Sequence, residues 1–359
     1  MRLLKCILLL MFVSLATGCI EWTTNSQGNL NSIGLPGLPV WKSATASNAE
    51  RRIVTPTVEP SESSELIADV EPPPPWLDDL NKWRQMAGLK PVGANSELIY
   101  ESQQHAIYLI EQGPTDERQF RIYAATIGGA AHRENPHSPW YTKEGALGAA
   151  GGPLTRGVRQ AADVSWGTKD PAADIDGWIT VPFHRLSLLA PWAEVAGYGS
   201  YGRAPRRASA LAFRGRASLD TATAVEFPPN GANMAGEMMI NEWPNPLAGC
   251  SGYALPVGLP ITLQLGGHRA AGLEDYSLED QTEHHKLAAC AFDGATYRNP
   301  DRAVEHHARN ILDDYGAVVL IPREPLRRGH RYEVSIQARG HSFDWRFGAP
   351  QDIDLTTRR

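Results

Sequence analysis

"GWITVPFHRLSLLAPWAEVAGYG", Gly177 to Gly199, changes its pattern twice. Taken from Asp174, "DIDGWITVPFHRLSLLAP" reads as a helix interrupted at Pro182, because a proline inside a helix lacks the amide hydrogen and clashes with the turn before it. Beyond Ala196 the texture becomes "GYGSYG" and "ASALAFRG", short strands joined by glycine turns. Helix running into strand within one stretch sets the class as α+β. Upstream, "WLDDLNKWRQMAGL" places Leu77, Leu80, Trp83 and Ala87 at helical spacing, with Gly88 as the stop. "NSELIYESQQHAIYLIEQG" follows as a second helix with Leu98, His105 and Leu109 on one face. Residues 76–215 therefore read as helices packed on a small sheet. Downstream, "GLPITLQL", "AVVLIPREPLRRGHRYEVSIQARG" and "FDWRFGAP" are strand-like, and "RYEVSIQA" alternates faces residue by residue. Residues 225–350 read as a small β-sandwich.

The chain has 359 residues, enough for two folded units and flanking segments. Its formal charge of -6 provides no basic field to hold nucleic acid. The start, "MRLLKCILLLMFVSLATGC", has basic Arg2 and Lys5, an apolar run from Cys6 to Val13, and small residues before Cys19. That is a signal peptide over 1–18, too short to span a bilayer in place. "LATGC" resembles the lipobox of bacterial lipoproteins, which implies a diacylated Cys19, a membrane anchor and an outer-membrane address in a Gram-negative source. Leu15 lies one residue farther from Cys19 than in that pattern, so ordinary cleavage and secretion stay open. Residues 19–75 are rich in Ser, Thr, Asn and Pro and read as a disordered tether, stiffened by Pro72 to Pro75. Of four cysteines, Cys250 and Cys290 lie outside the leader, and an oxidising compartment points to a bridge between them, with two separate buried thiols as the alternative.

Three stretches then occur in order: "LNKWRQMAGLKPV", "AHRENPHSPWYTKEGALGAA" and "GWITVPFHRLSLLAPWAEVAGYG". This order resembles the bacterial branch of the CAP superfamily (cysteine-rich secretory proteins, antigen five, pathogenesis-related proteins). The resemblance implies an α-β-α sandwich over 76–215 with a cleft lined by two histidines and two glutamates. Residue by residue, it implies His132 and His184 as the histidines and Glu144 of "EGAL" as one glutamate. The other family glutamate stands three residues after a helix tryptophan; here Trp178 is followed at that distance by Val181. The C-terminal unit resembles the immunoglobulin-like modules of bacterial surface proteins, with Tyr332, Trp345 and Phe347 as core aromatics.

Two histidines and a carboxylate converging in a cleft can hold a divalent ion, zinc first, with one position open. The same groups can instead form a hydrogen-bonded set without metal. His105 reads as a packed histidine, and Glu134 is passed over for Glu144. The pairs His284–His285 and His306–His307 read as solvated surface, since adjacent histidines diverge and each pair offers one ligand at most. No nucleophile elbow, phosphate loop or HExxH occurs. The leading expectation is an envelope-bound module whose His-Glu-His cleft takes an envelope lipid, glycan or protein. A metal-dependent hydrolase of peptides or envelope polymers is the alternative, weakened by Val181.

Overall fold

The computed structural model describes residues 21–24, 30–34 and 73–348, apart from 156, 168–169, 217–223, 235–236 and 239–241. Two units are distinguished, Met1–Asp69 and Val70–Arg359. In the first, β1 (Glu21–Thr24) pairs antiparallel with β2 (Leu30–Gly34). The stretch 19–75, expected to be a structureless tether, thus contains one paired element. The leader 1–18 and Cys19 lie outside the described residues.

In the second unit, α1 (Pro75–Met86) starts on a proline at its first turn and ends at Gly88, whose φ of 73° is the left-handed stop that glycine adopts without strain. After β3 (Gly93–Ala94), α2 (Ser96–Gln112) is capped by the Asn95 side chain, which accepts from the Leu98 amide at 2.9 Å. Then come α3 (Glu117–Thr126), α4 (Lys143–Gly148), β4 (Gly152–Thr155) and β5 (Val158–Trp166). Pro182 divides the expected third helix into α5 (Pro171–Thr180) and α6 (Pro182–Leu188), standing at the first turn of the latter. The strands β6 (Ala193–Arg203) and β7 (Arg206–Arg216) complete a five-stranded sheet of order β3-β6-β7-β5-β4, antiparallel except for β3 with β6.

The run "GYGSYG" is one continuous strand inside β6, not short strands joined by glycine turns. Its glycines serve close approach. A Cβ on Gly197 would stand 2.2 Å from the Leu98 carbonyl carbon, and one on Gly199 would stand 2.1 Å from the Gln103 amide nitrogen. Tyr198 points to the other face and donates to Asp174 on α5 at 2.7 Å. Strand alternation therefore seats α2 on one face and α5 on the other, giving the α-β-α sandwich.

The C-terminal part is also as expected in class. Strands β8 (Val225–Phe227), β11 (Ile261–Gln264), β14 (Ala289–Phe292) and β15 (Ala317–Pro322) form one antiparallel sheet of order β14-β15-β11-β8. The facing sheet has order β13-β12-β16-β17, from β12 (Leu273–Asp280), β13 (His285–Lys286), β16 (Arg331–Ala338) and β17 (His341–Gly348). Between them, Val318 and Leu320 of β15 meet Val334, Ile336, Trp345 and Phe347 in one apolar cluster. A small ladder joins β9 (Glu237–Met238) to β10 (Val257–Gly258). One element was not expected: α7 (Arg302–Tyr315), capped by Asp301 and stopped by left-handed Gly316, which links β14 to β15 and carries His306 and His307.

Successive residues of β15 bury in different places. Ala317, Val319 and Ile321 join a core that contains Ile179, Phe183, Leu186 and Trp192 of the N-terminal sandwich, while Val318 and Leu320 face the second sheet. A strand covered on both faces reads as an unbroken apolar run, which is what "AVVLIP" is. At roughly 1.5–3 kcal/mol for each large apolar side chain removed from water, this shared core ties the two sequence segments into one cooperative unit. Cys250 and Cys290 form a disulfide that links the segment ahead of β10 to β14.

Candidate active cleft

Consecutive residues of α6 place four side chains with different tasks. Phe183 packs edge-on against Tyr297 at 5.8 Å between ring centroids. Arg185 is fully buried, stacks over Phe227 at 4.1 Å, and donates to the carbonyls of Ile179 and Pro260, fastening the helix to the C-terminal sheet. Ser187 donates to a carboxylate oxygen of Asp163 on β5. His184 lies between them and lines the cleft.

The N-terminus of α6 has no capping side chain of its own, since Val181 precedes Pro182. Glu242, from the C-terminal segment, fills that role. Its Oε1 accepts from the Phe183 amide at 2.8 Å, and its Oε2 accepts from the His184 amide at 3.0 Å and from His184 Nδ1 at 2.6 Å. One carboxylate thus satisfies two orphan helix amides and fixes the histidine ring. The Glu242 side chain is 2 % exposed and that of His184 16 %. Burial works against a charge on His184, but hydrogen bonding and charge from Glu242, with Asp163 adding, hold the imidazole above its usual range.

Asp163 is buried in the cleft floor. Burial pushes its carboxyl up to about 7, with Glu242 adding to the rise and His184 and Ser187 opposing it. Among the described residues neither Asp163 Oδ1 nor His184 Nε2 has a hydrogen-bond partner, and neither is a sealed-off buried atom. Both atoms therefore open on the cleft.

His132 also lines the cleft, half-buried at the end of the 3-10 turn Gly128–His132. Burial, with His184, His105 and His307 nearby, pushes its imidazole down to about 3, so it is neutral at physiological pH. Trp243, next to Glu242, packs flat against this turn: a Cβ on Gly129 would lie 2.2 Å from the indole. Its ring stacks on His307 of α7 at 4.9 Å between centroids. The resulting cleft holds about 780 Å³, with Ala161, Ala162 and Gly151 among its small lining residues and Arg159, His306, His307 and Asn310 among its polar ones.

His132 and His184 thus share one cleft, but Glu144 does not join them. It is exposed in the first turn of α4 and is absent from the cleft lining. Its place beside a histidine is taken by Glu242, which no spacing rule connects to residue 184. Glu134, passed over in the sequence, is buried and bonded to His105 Nδ1 at 3.0 Å. His105 Nε2 in turn meets the Ala131 carbonyl at 2.7 Å, and Glu134 Oε2 accepts the Thr142 amide at 3.1 Å, so this pair pins the loop that carries His132. His306 and His307, read as solvated surface, both line the cleft.

A catalytic divalent ion needs about three protein ligands converging on one point. The cleft is lined by four histidines (His132, His184, His306, His307) with Asp163 and Asp314, but among the described residues no three of these donors converge closely enough to hold an ion, and the Glu242 oxygens are committed to three N–H groups. This donor set does not fit the zinc that the sequence implied. Among the described residues the possible metal-ligating group is Asp280, Glu283 and His285, whose donor atoms lie within 4.8 Å of one another beside β12. Asp280 there already pairs with His330 at 2.6 Å.

No helix among the described residues is long and apolar enough to cross a membrane. No curated protein matches the chain. Residues 77–212 match the family model described as CAP, the cysteine-rich secretory protein family, a span that covers the five-stranded sheet through most of β7 together with His132, Asp163 and His184. The α-β-α layers and paired cleft histidines agree with this match, which assigns a CAP domain to residues 77–212.

Proposed function

We propose that this chain is a cell-envelope protein, held to the membrane by lipidated Cys19, whose cleft binds an envelope glycan. The observation that carries the reading is the make-up of the cleft. Hydrogen-bonding donors and acceptors (Asp163, Ser187, His132, Asn310) line it beside small alanines and glycines, with Phe183 and Tyr315 buried among its lining residues. The many hydroxyls of a pyranose match such a set of donors and acceptors better than an acyl chain does. A volume of about 780 Å³ is within the usual range of ligand sites and holds a few sugar units.

Calorimetric titration of the full chain with glycan strands released from purified cell wall tests the reading. Binding is expected, weakened about tenfold or more in His132→Ala. No heat of binding from wild type would end the glycan assignment. The anchor is tested separately: Cys19→Ser moves the protein from the detergent phase to the aqueous phase, and unchanged partitioning would remove lipidation from the account.

A further inference from the structure

We infer that the cleft hydrolyses the glycan it holds, with Asp163 as general acid and His184 as general base. This rests on the glycan reading above and adds a reaction to it. The geometry that points here is the pairing of two cleft-facing atoms, Asp163 Oδ1 and His184 Nε2, each backed on its far side by a fixed partner. Ser187 holds the other oxygen of Asp163, and Glu242 holds Nδ1 of His184. A carboxylate behind a histidine sets the tautomer so that Nε2 is the acceptor, and it stabilises the imidazolium that forms when that nitrogen takes a proton. Asp163, buried and protonated near neutrality, is the complementary donor.

The step is a single displacement. His184 Nε2 takes a proton from water as the water oxygen bonds to the anomeric carbon. The glycosidic C–O bond breaks, its electron pair goes to the leaving oxygen, and that oxygen takes the proton of Asp163. One water is consumed and two shorter glycans form, one of them with inverted anomeric configuration. Solvent returns a proton to Asp163 and removes one from His184, so the pair is restored without any other reactant. Glu242 is a positioning residue, since it touches His184 and not the substrate.

The test uses the full chain and the same released glycan strands, with binding followed by calorimetry and cleavage by new reducing ends. Wild type is expected to bind and cleave, giving inverted product by proton NMR. Asp163→Asn keeps the size and the Ser187 contact; it is expected to bind within about threefold of wild type and to lose at least about 100-fold in kcat. Glu242→Gln is expected to lower kcat about tenfold or more with KM unchanged, a split that a general loss of structure would not give. Binding without new reducing ends overturns this inference and leaves the glycan reading standing; absence of binding removes both. Cleavage that survives Asp163→Asn, or cleavage of a peptide substrate in place of the glycan, also overturns it.

Discussion

Three titratable side chains in the cleft have opposite effects on stability. His132 has a folded value of about 3, below its usual 6.5, so the unfolded chain binds more protons and His132 costs stability as pH falls from about 6.5 toward 3. Asp163 has a folded value of about 7, above its usual 3.8, so its contribution favours the folded state at low pH and is lost as pH rises through that window. His184, raised by Glu242, contributes stability below its ordinary value that is lost as pH rises through its higher folded value. Asp163→Asn removes the second of these effects together with the smaller Asp163 share of the rise at His184. Urea midpoints should coincide for wild type and variant near pH 4 and separate near pH 8, where the variant is the more stable. Equal midpoints at pH 8 would show that Asp163 is not a desolvated carboxyl. Sequence reading reached His132 and His184 because each stands in a local motif. It missed Asp163, a single acid in an ordinary strand pattern, and it missed Glu242, whose role exists only through a contact spanning 58 residues.

At the scale of elements, α1, α2, β16 and β17 were legible because each shows an apolar period and end signals in its own residues. The helix α7 was not read, although Ala308, Leu312 and Tyr315 form its buried face and Asp301 and Gly316 mark its ends. Its adjacent His306 and His307 invite a ligand reading and mask the apolar period. The strand β6 shows the opposite error, in which glycines that permit close packing were taken for turns. Only the position of α2 against the sheet reveals their purpose. Gly197→Ala would place a methyl within 2.2 Å of the Leu98 backbone, so α2 must shift or the strand must bend. A loss of about 3 kcal/mol in urea unfolding is expected, with Ala substituted at half-buried Gly177, where a Cβ meets nothing within 4 Å, costing no more than a small fraction of that. A variant at 197 as stable as wild type would contradict the packing described for this face.

At the scale of the whole molecule, two sequence segments that resemble separate modules form one unit, because the sheet β14-β15-β11-β8 is covered on both sides. The sequence showed two changes of pattern and so two modules; a shared core leaves no local mark. The functional consequence is that the CAP segment alone has an incomplete cleft. Glu242, Trp243, His306 and His307 all come from outside residues 77–212. Glu242 completes the site by holding His184, and NMR titration of the His184 imidazole in the full chain measures this directly, with the resonance assigned by its loss in His184→Gln. In wild type the titration midpoint should lie above the ordinary histidine value of about 6.5, and Glu242→Gln should lower it. A midpoint that does not move in Glu242→Gln, or one below 6.5 in wild type, would contradict the account.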